Sequence, residues 1–359
     1  VKHFYLATGL NSTGIAAAPG VGKAVAEWIV NGAPTMDLWE VDIKRFHAFQ
    51  STKKYLYDRT IETVGTLYDK HYPHRQMESA RGARNSPLHD RLANMGACFG
   101  EVAGFERPMW YAPRGHLPEY RYSFGRQNWF QYSANEHQAV RETVGLFDQT
   151  SFGKFLLQGK DSESVAQQIF AGDLGVEPGK VVYTAMLNER GGFEADLTVT
   201  RTAEDQYLIV TGGATTTHDL TWIKNHIPVD SHAFITNISS AQAVLGLMGP
   251  NSRELLTELS DANFTNREFP FMSSHIISIG YAPVRATRIT YVGELGWELY
   301  IPTEFAAHVF DRVMELADKY ELRTAGFHAM ESLRLEKGYR AWGHDIVDVD
   351  TPIEAGLSF

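Results

Sequence analysis

Two acidic side chains in the second half of the chain stand where carboxylates can do chemistry. Asp196 ends the stretch Asn188-Glu189-Arg190-Gly191-Gly192-Phe193-Glu194-Ala195-Asp196, and Glu298 follows Tyr291-Val292-Gly293-Glu294-Leu295-Gly296-Trp297. A carboxylate next to a strand is either solvated at the sheet's end or aimed into a pocket, where it needs a partner because burying an unpaired charge is costly. For Asp196 the first fate, satisfaction by nearby backbone N–H groups, is the commoner one; the second would make it a general acid or base. Glu298, if it points inward, accepts two N–H bonds at once, which suits a ligand edge such as an amino-pyrimidinone. A salt bridge to Arg285 or Arg288 is the equal alternative.

The elements that must position these groups are short and β-rich. Residues 181–187 and 197–201 are β-branched and apolar, and the Gly191-Gly192 pair between them predicts a hairpin whose second strand begins at Asp196. Residues 288–300 predict a second turn between strands. Alternation beyond that turn puts Glu298 on one face and Trp297 and Leu299 on the other.

The chain has 359 residues, 43% of them hydrophobic, enough for two or three domains with cores of their own. Its formal net charge is −10 with no sustained Lys/Arg stripe, which argues against a nucleic-acid partner. No apolar run reaches the length of a membrane span, and the first residues do not read as a signal peptide. A single cysteine, Cys98, excludes an internal disulfide framework and a cysteine-based zinc site. His71, His74 and His89 lack metal-ligand spacing and read as surface histidines, so no metal is expected. Both ends read as cut within longer elements, so the chain is expected to be an internal piece of something larger.

In order, residues 4–9 predict a strand, 14–22 a small-residue loop, and 23–30 a helix, an arrangement that lets backbone amides approach a phosphate or a flat cofactor. Gly20-Val21-Gly22-Lys23 completes neither a dinucleotide fingerprint nor a P-loop. Residues 49–106 read as polar and helical, with Ser86 as N-cap and Pro87 as first residue of a helix. Residues 113–126 read as a linker. Residues 136–148 predict a helix with Gly145 near its C-cap, 152–157 a strand, 162–170 a helix capped by Asp161, 207–211 a strand and 218–227 a helix. Antiparallel strands with helices on one face describe an α+β fold.

Gly9-Leu10-Asn11-Ser12-Thr13-Gly14-Ile15, followed by Gly20-Val21-Gly22-Lys23, resembles the closing segment of the FAD domain in amine oxidases of the D-amino-acid-oxidase superfamily. Residues 37–46 resemble the exit from that domain in the sarcosine and dimethylglycine dehydrogenases, and residues 104–111 their central domain. Five ordered blocks, 136–148, 188–197, 245–250, 291–298 and 332–338, resemble the glycine-cleavage T-protein, a tetrahydrofolate-dependent aminomethyltransferase, and still more its fused form in those dehydrogenases. The resemblance implies four parts: the tail of an FAD domain (1–46), a central oxidoreductase domain (47–112), a linker (113–126) and a folate-binding T-protein-like domain (127–359). It implies FAD contacts at Gly9, Gly14, Ile15, Gly20 and Gly22. It also implies Asp196 as the catalytic acid beside the folate nitrogens, Tyr291 as a wall of the pterin pocket and Glu298 as the carboxylate that pairs with the pterin ring.

The implied activity is oxidation of an N-methylamine and transfer of its one-carbon unit to tetrahydrofolate, with no metal and an electron acceptor the sequence leaves open. The implied compartment is bacterial cytoplasm or mitochondrial matrix. Two departures stand out. Met330 replaces the arginine with which the simple T-protein holds the folate tail, and Ala195 replaces a second aspartate, as in the fused enzymes. A non-catalytic alternative is the regulatory subunit of pyruvate dehydrogenase phosphatase, which residues 49–51, 86–88 and 104–108 also resemble. A stand-alone aminomethyltransferase is a third. The retained Glu298 favours a working folate pocket over a regulatory module.

Overall fold

The computed structural model describes residues 4–32 and 34–357, which divide into two compact units, Val1–Arg45 and Phe46–Phe359. The first unit is built on α1 (Gly14–Asn31), which ends in a left-handed Gly32 whose N–H reaches Trp28 O. The small-residue loop expected over residues 14–22 is therefore part of the helix, and Gly14, Ile15, Gly20 and Gly22 lie on it. Ala16, Ala17 and Ala18 are the strongest helix formers, and they outweigh glycines that cost about 1 kcal/mol each. The strand expected at residues 4–9 is absent, since no described strand of this unit is there to pair with it.

The second unit opens with α2 (Lys53–Gly65), α3 (His89–Asn94) and the hairpin β1 (Ala97–Val102) and β2 (Phe105–Tyr111). It continues through α4 (Phe130–Glu142), β3 (Val144–Asp148), β4 (Gly153–Gln158), α5 (Ser162–Ile169), β5 (Val181–Leu187), β6 (Phe193–Ala203), β7 (Gln206–Thr211), α6 (Thr216–His226) and β8 (Phe234–Asn237). The last third holds β9 (Gln242–Met248), α7 (Ser252–Leu259), β10 (Ser274–Ile279), β11 (Ala282–Thr287), β12 (Gly296–Pro302), α8 (Ala306–Met314), α9 (Ala317–Tyr320), β13 (Leu322–Thr324) and α10 (Phe327–Glu336).

The fold is α+β. A five-stranded sheet in the order β5-β6-β7-β4-β8 faces a six-stranded sheet in the order β10-β11-β12-β9-β3-β13, and every pair is antiparallel except β13 with β3. Each sheet packs helices on its outer face. Ala195, Leu197 and Val199 of β6 bury against α5 and α6, while Trp297, Leu299 and Ile301 of β12 bury against α7 and α8. Between the sheets lie Leu208, Val210, Val244 and Tyr300. Part of the inner face of the larger sheet is covered by α4 and α10, through Val140, Met330 and Leu333 on Phe147 and Met248.

Three local expectations need correcting. The helix ascribed to residues 136–148 ends at Glu142, and residues 144–148 form β3, which is buried along its whole length between β9 and β13. Gly145 is no cap; a Cβ there would collide with Val140. Ser86 does not cap a helix at Pro87: its hydroxyl accepts from Leu88 N at 3.2 Å, and the helix starts at His89. Asp161 precedes α5, yet its carboxylate accepts from His232 N at 2.7 Å instead of capping the helix. Residues 113–126 carry no regular structure but are pinned, with Tyr122 Oη accepting from Gln76 N and Tyr120 Oη beside His328 Nε2 at 3.0 Å.

Candidate functional site

The β5–β6 hairpin forms because Asn188 organises its turn, its side-chain oxygen accepting from Arg190 N and Gly192 N at 3.0 Å while Gly191 takes φ +80°. Strand β6 starts at Phe193, three residues before Asp196. Because Ala195 and Leu197 face the outer core, alternation turns Glu194, Asp196, Thr198 and Thr200 inward. Thr198 and Thr200 pair with Val210 and Leu208, two residues of the layer between the sheets. On the facing sheet Glu298 lies opposite Gly246 and two residues before Tyr300, so it projects into the same layer from the other side.

Asp196 accepts a hydrogen bond from Tyr183 Oη at 2.9 Å, and a second comes from the Trp342 backbone. Burial pushes its carboxyl up to about 6, the Tyr183 bond holds it lower, and the charge of Asp219 adds to the rise. Behind it lies a buried ionic chain: His218 Nδ1 is 2.8 Å from Asp219 Oδ1, and its Nε2 is 3.4 Å from Glu194 Oε2. Burial opposes charge on that imidazole, but the two carboxylates outweigh it and raise the pKa to about 9. The His218 ring stacks on Trp342 at 5.3 Å, and Trp342 Nε1 donates to Phe193 O at 3.0 Å, which ties the C-terminal segment over the hairpin.

Tyr291 sits in the loop between β11 and β12. That loop is fixed to α4 by Arg141, which donates to Val292 O and pairs with Glu294 at 2.9 Å. Tyr291 Oη donates to Arg340 O at 2.9 Å, and the charge of Asp196 is felt at Tyr291, so the two belong to one cluster with Tyr183.

Glu298 belongs to a second cluster in the same layer. Its residue is 6% exposed, and its oxygens accept from Tyr300 Oη at 2.5 Å and Gln149 Nε2 at 3.3 Å. Burial pushes its carboxyl up, while Tyr300, Gln149 and the Lys154 ammonium pull it back. The alternative of an arginine partner is not met: Arg285 donates to Ser274 Oγ and Arg288 to Phe269 O. Gln149 is itself fully buried, and its Oε1 has no donor. Gly246 makes room for that amide, since a Cβ there would strike it. The layer thus holds two adjacent buried acceptors, the Glu298 carboxylate and the Gln149 oxygen, an arrangement that fits a ligand edge rich in N–H donors. Two cavities, of about 300 and 350 Å³, are lined by other residues.

Of the partners, Tyr300 was legible as the i+2 neighbour of Glu298, and Tyr183 as a near neighbour of Asp196 across the hairpin. Gln149 and Trp342 arrive from distant segments with no local signal. Met330 is a buried residue of α10, packed in one cluster with Leu333 and Val140. In the first unit Ile15 is 96% exposed, and a Cβ at Gly20 or Gly22 meets nothing within 4 Å, so these positions of α1 lie open. Among the described residues no group of three or more His, Cys, Asp or Glu side chains is placed to hold a metal ion, and no helix is long and apolar enough to cross a membrane.

Residues 88–359 match the family described as GCVT N-terminal domain, and residues 31–86 match the FAD dependent oxidoreductase central domain. The whole chain is 43% identical to 4-methylaminobutanoate oxidase (formaldehyde-forming) of Paenarthrobacter nicotinovorans and 35% identical to the mitochondrial sarcosine dehydrogenase of Homo sapiens, covering 43% of each. It is 36% identical over 99% of its length to the mitochondrial pyruvate dehydrogenase phosphatase regulatory subunit of Mus musculus, covering 41% of it. The chain therefore spans less than half the length of these relatives. Among solved structures, the glycine cleavage system aminomethyltransferase T from Bartonella henselae superposes with a TM-score of 0.64 at 26% identity, over 77% of this chain and 68% of that one.

Proposed function

The chain belongs to the GCVT family, with an FAD dependent oxidoreductase central domain ahead of the GCVT part, and on that premise we propose that it is the folate-handling portion of an FAD-dependent N-methylamine dehydrogenase of the sarcosine or dimethylglycine type. The observation that carries this reading is the pair of buried acceptors, Glu298 and Gln149 Oε1, facing the layer that Asp196 faces from the other sheet. A pterin presents an amino group and a ring N–H on one edge, and these meet the two acceptors. Tyr291, in the cluster with Asp196 and Tyr183, would form a wall of the folate site.

Asp196 does the proton work. The folate nitrogen attacks the methylene carbon of the iminium, whose C=N π pair moves onto the amine nitrogen. The folate nitrogen's proton passes through the Asp196 carboxylate to that amine, its C–N bond to the carbon breaks, and the second folate nitrogen closes on the carbon and loses its own proton to solvent. A carboxyl held near 6 is ionised at neutral pH yet basic enough to accept that proton. Its negative charge also stabilises the iminium as it is captured. Enclosure between the sheets keeps the iminium from water, which would convert it to formaldehyde.

Gly9, Gly14, Ile15, Gly20 and Gly22 are the residues of this chain that would lie against FAD. When bound, that group supplies oxidation of the N-methyl carbon. The mitochondrial and bacterial relatives support a mitochondrial matrix or bacterial cytoplasmic setting.

The test is product partition in the intact protein. With tetrahydrofolate present, Asp196→Ala and Glu298→Ala shift the product from methylene-folate to formaldehyde while amine oxidation continues. Equal loss of both products, or of neither, contradicts the division of labour. Absence of amine oxidation and of folate binding in the unaltered protein would favour a regulatory role of the kind named for the murine relative.

A further inference from the structure

We propose that the cavity beneath Arg84 is a binding site for a small carboxylate that carries its own hydrogen-bond donor, the chemistry of an amino or hydroxy acid. The cavity is about 300 Å³ and is lined among others by Arg84, Asn85, Thr150, Ser240, Gln242 and Thr303. That is the lower end of the range for ligand pockets, room for roughly ten non-hydrogen atoms and too little for a folate or a dinucleotide.

Arg84 supplies the charge. Its guanidinium lies over the Phe105 ring at 4.9 Å, and no acidic residue lines the cavity. Among other half-buried arginines of this unit, Arg59 and Arg81 pair with Glu101 and Glu106, at 2.7 and 2.5 Å, while Arg285 and Arg288 donate to Ser274 Oγ and Phe269 O. Burial lowers the pKa of Arg84, and no carboxylate raises it back. The ammonium of Lys154 stands behind the wall, donating to Thr150 O at 2.9 Å. Burial brings its pKa down to about 7 against the pull of Asp148 and Glu298, and Arg84 lowers it further. His47, too, feels Arg84, and burial together with that charge holds the imidazole near 4 and neutral. Arg84 is the one charged residue among the described residues that line the cavity, and a half-buried guanidinium without an anion is an incomplete arrangement.

The second feature selects among anions. Gln242 Oε1 is buried in the wall without a donor. A bare anion would satisfy Arg84 and leave this oxygen orphaned, whereas a carboxylate bearing an ammonium or hydroxyl group satisfies both. A single guanidinium, with no second cation among the described lining residues, matches one carboxylate better than a phosphate dianion. The inference rests on Arg84 and Gln242 and is independent of the folate reading.

Saturation-transfer NMR on the intact protein tests it, with glycine, glycolate, propionate and inorganic phosphate as millimolar probes in chloride-poor buffer. Glycine and glycolate are expected to show transfer that falls about tenfold in Arg84→Gln and is partly kept in Arg84→Lys. Glycolate should bind several-fold better than propionate, and Gln242→Leu should erase that preference without needing Arg84 to be altered. Retained circular dichroism confirms that the variants fold, and Gln242→Leu decides the matter if Arg84→Gln does not. Transfer that is independent of Arg84, equal binding of propionate and glycolate, no transfer at all, or tighter binding of phosphate would each overturn the assignment.

Discussion

Replacing Tyr183 by Phe removes the hydroxyl that donates to Asp196 over 2.9 Å and leaves the ring in place. That bond favours the ionised carboxylate, so its loss moves the Asp196 pKa upward from about 6. A hydrogen bond to a charged group contributes about 1.5–3 kcal/mol, and one pKa unit corresponds to ~1.4 kcal/mol, so the rise is about one to two units. If the ionised form takes the folate proton, the ionised fraction at neutral pH drops from about nine-tenths to between about a half and a tenth. Single-turnover formation of methylene-folate, followed from about pH 5 to about pH 10, should show the acid limb displaced to higher pH with the alkaline plateau unchanged. An acid limb that stays where it was, or a uniform fall at every pH, would refute the reasoning and make Tyr183 a packing residue.

Asp196→Asn should alter stability as well as activity. The folded-state pKa near 6 lies above the ordinary carboxylate value of about 3.9, so this group favours folding below about pH 4 and that contribution is lost as pH rises through about 6. Urea unfolding should therefore find the Asn variant more stable by about 3 kcal/mol at neutral pH, and no different below about pH 4. Glu136 holds the join between β2 and α10, accepting from Tyr111 N at 2.7 Å and Gly326 N at 2.9 Å while burial pushes its carboxyl up to about 8. Glu136→Ala orphans both donors and should cost about 2–5 kcal/mol in the same assay, with Glu136→Gln costing less.

The hairpin and the alternation around Glu298 were legible because both depend on local chemistry. A Gly-Gly turn between β-branched runs has few other solutions, and a period of two sorts Trp297 from Glu298 without knowledge of the partner strand. Residues 144–148 were misread for the opposite reason. Strand β3 is covered on both faces, so its apolar run has no alternation, and it continues directly from an amphipathic helix. The Ala-rich segment 14–22 looked like a loop because its glycines drew more weight than the alanines between them. The partners of the two carboxylates lay beyond local reading. Gln149 meets Glu298 over Gly246 on the same sheet, from a segment 149 residues away, and Trp342 returns from the far end of the chain to Asp196. Nothing nearby in sequence marks either one.

Equilibrium binding of a stable reduced folate to the intact protein separates recognition from chemistry. Glu298→Gln, which removes the acceptor charge from the inter-sheet layer, should weaken binding at least about tenfold. Asp196→Asn should bind within a few-fold of the unaltered protein and fail to transfer the methylene group. Equal affinity in all three proteins would mean that the Glu298 face of the layer does not receive the pterin, and the folate assignment would then be wrong.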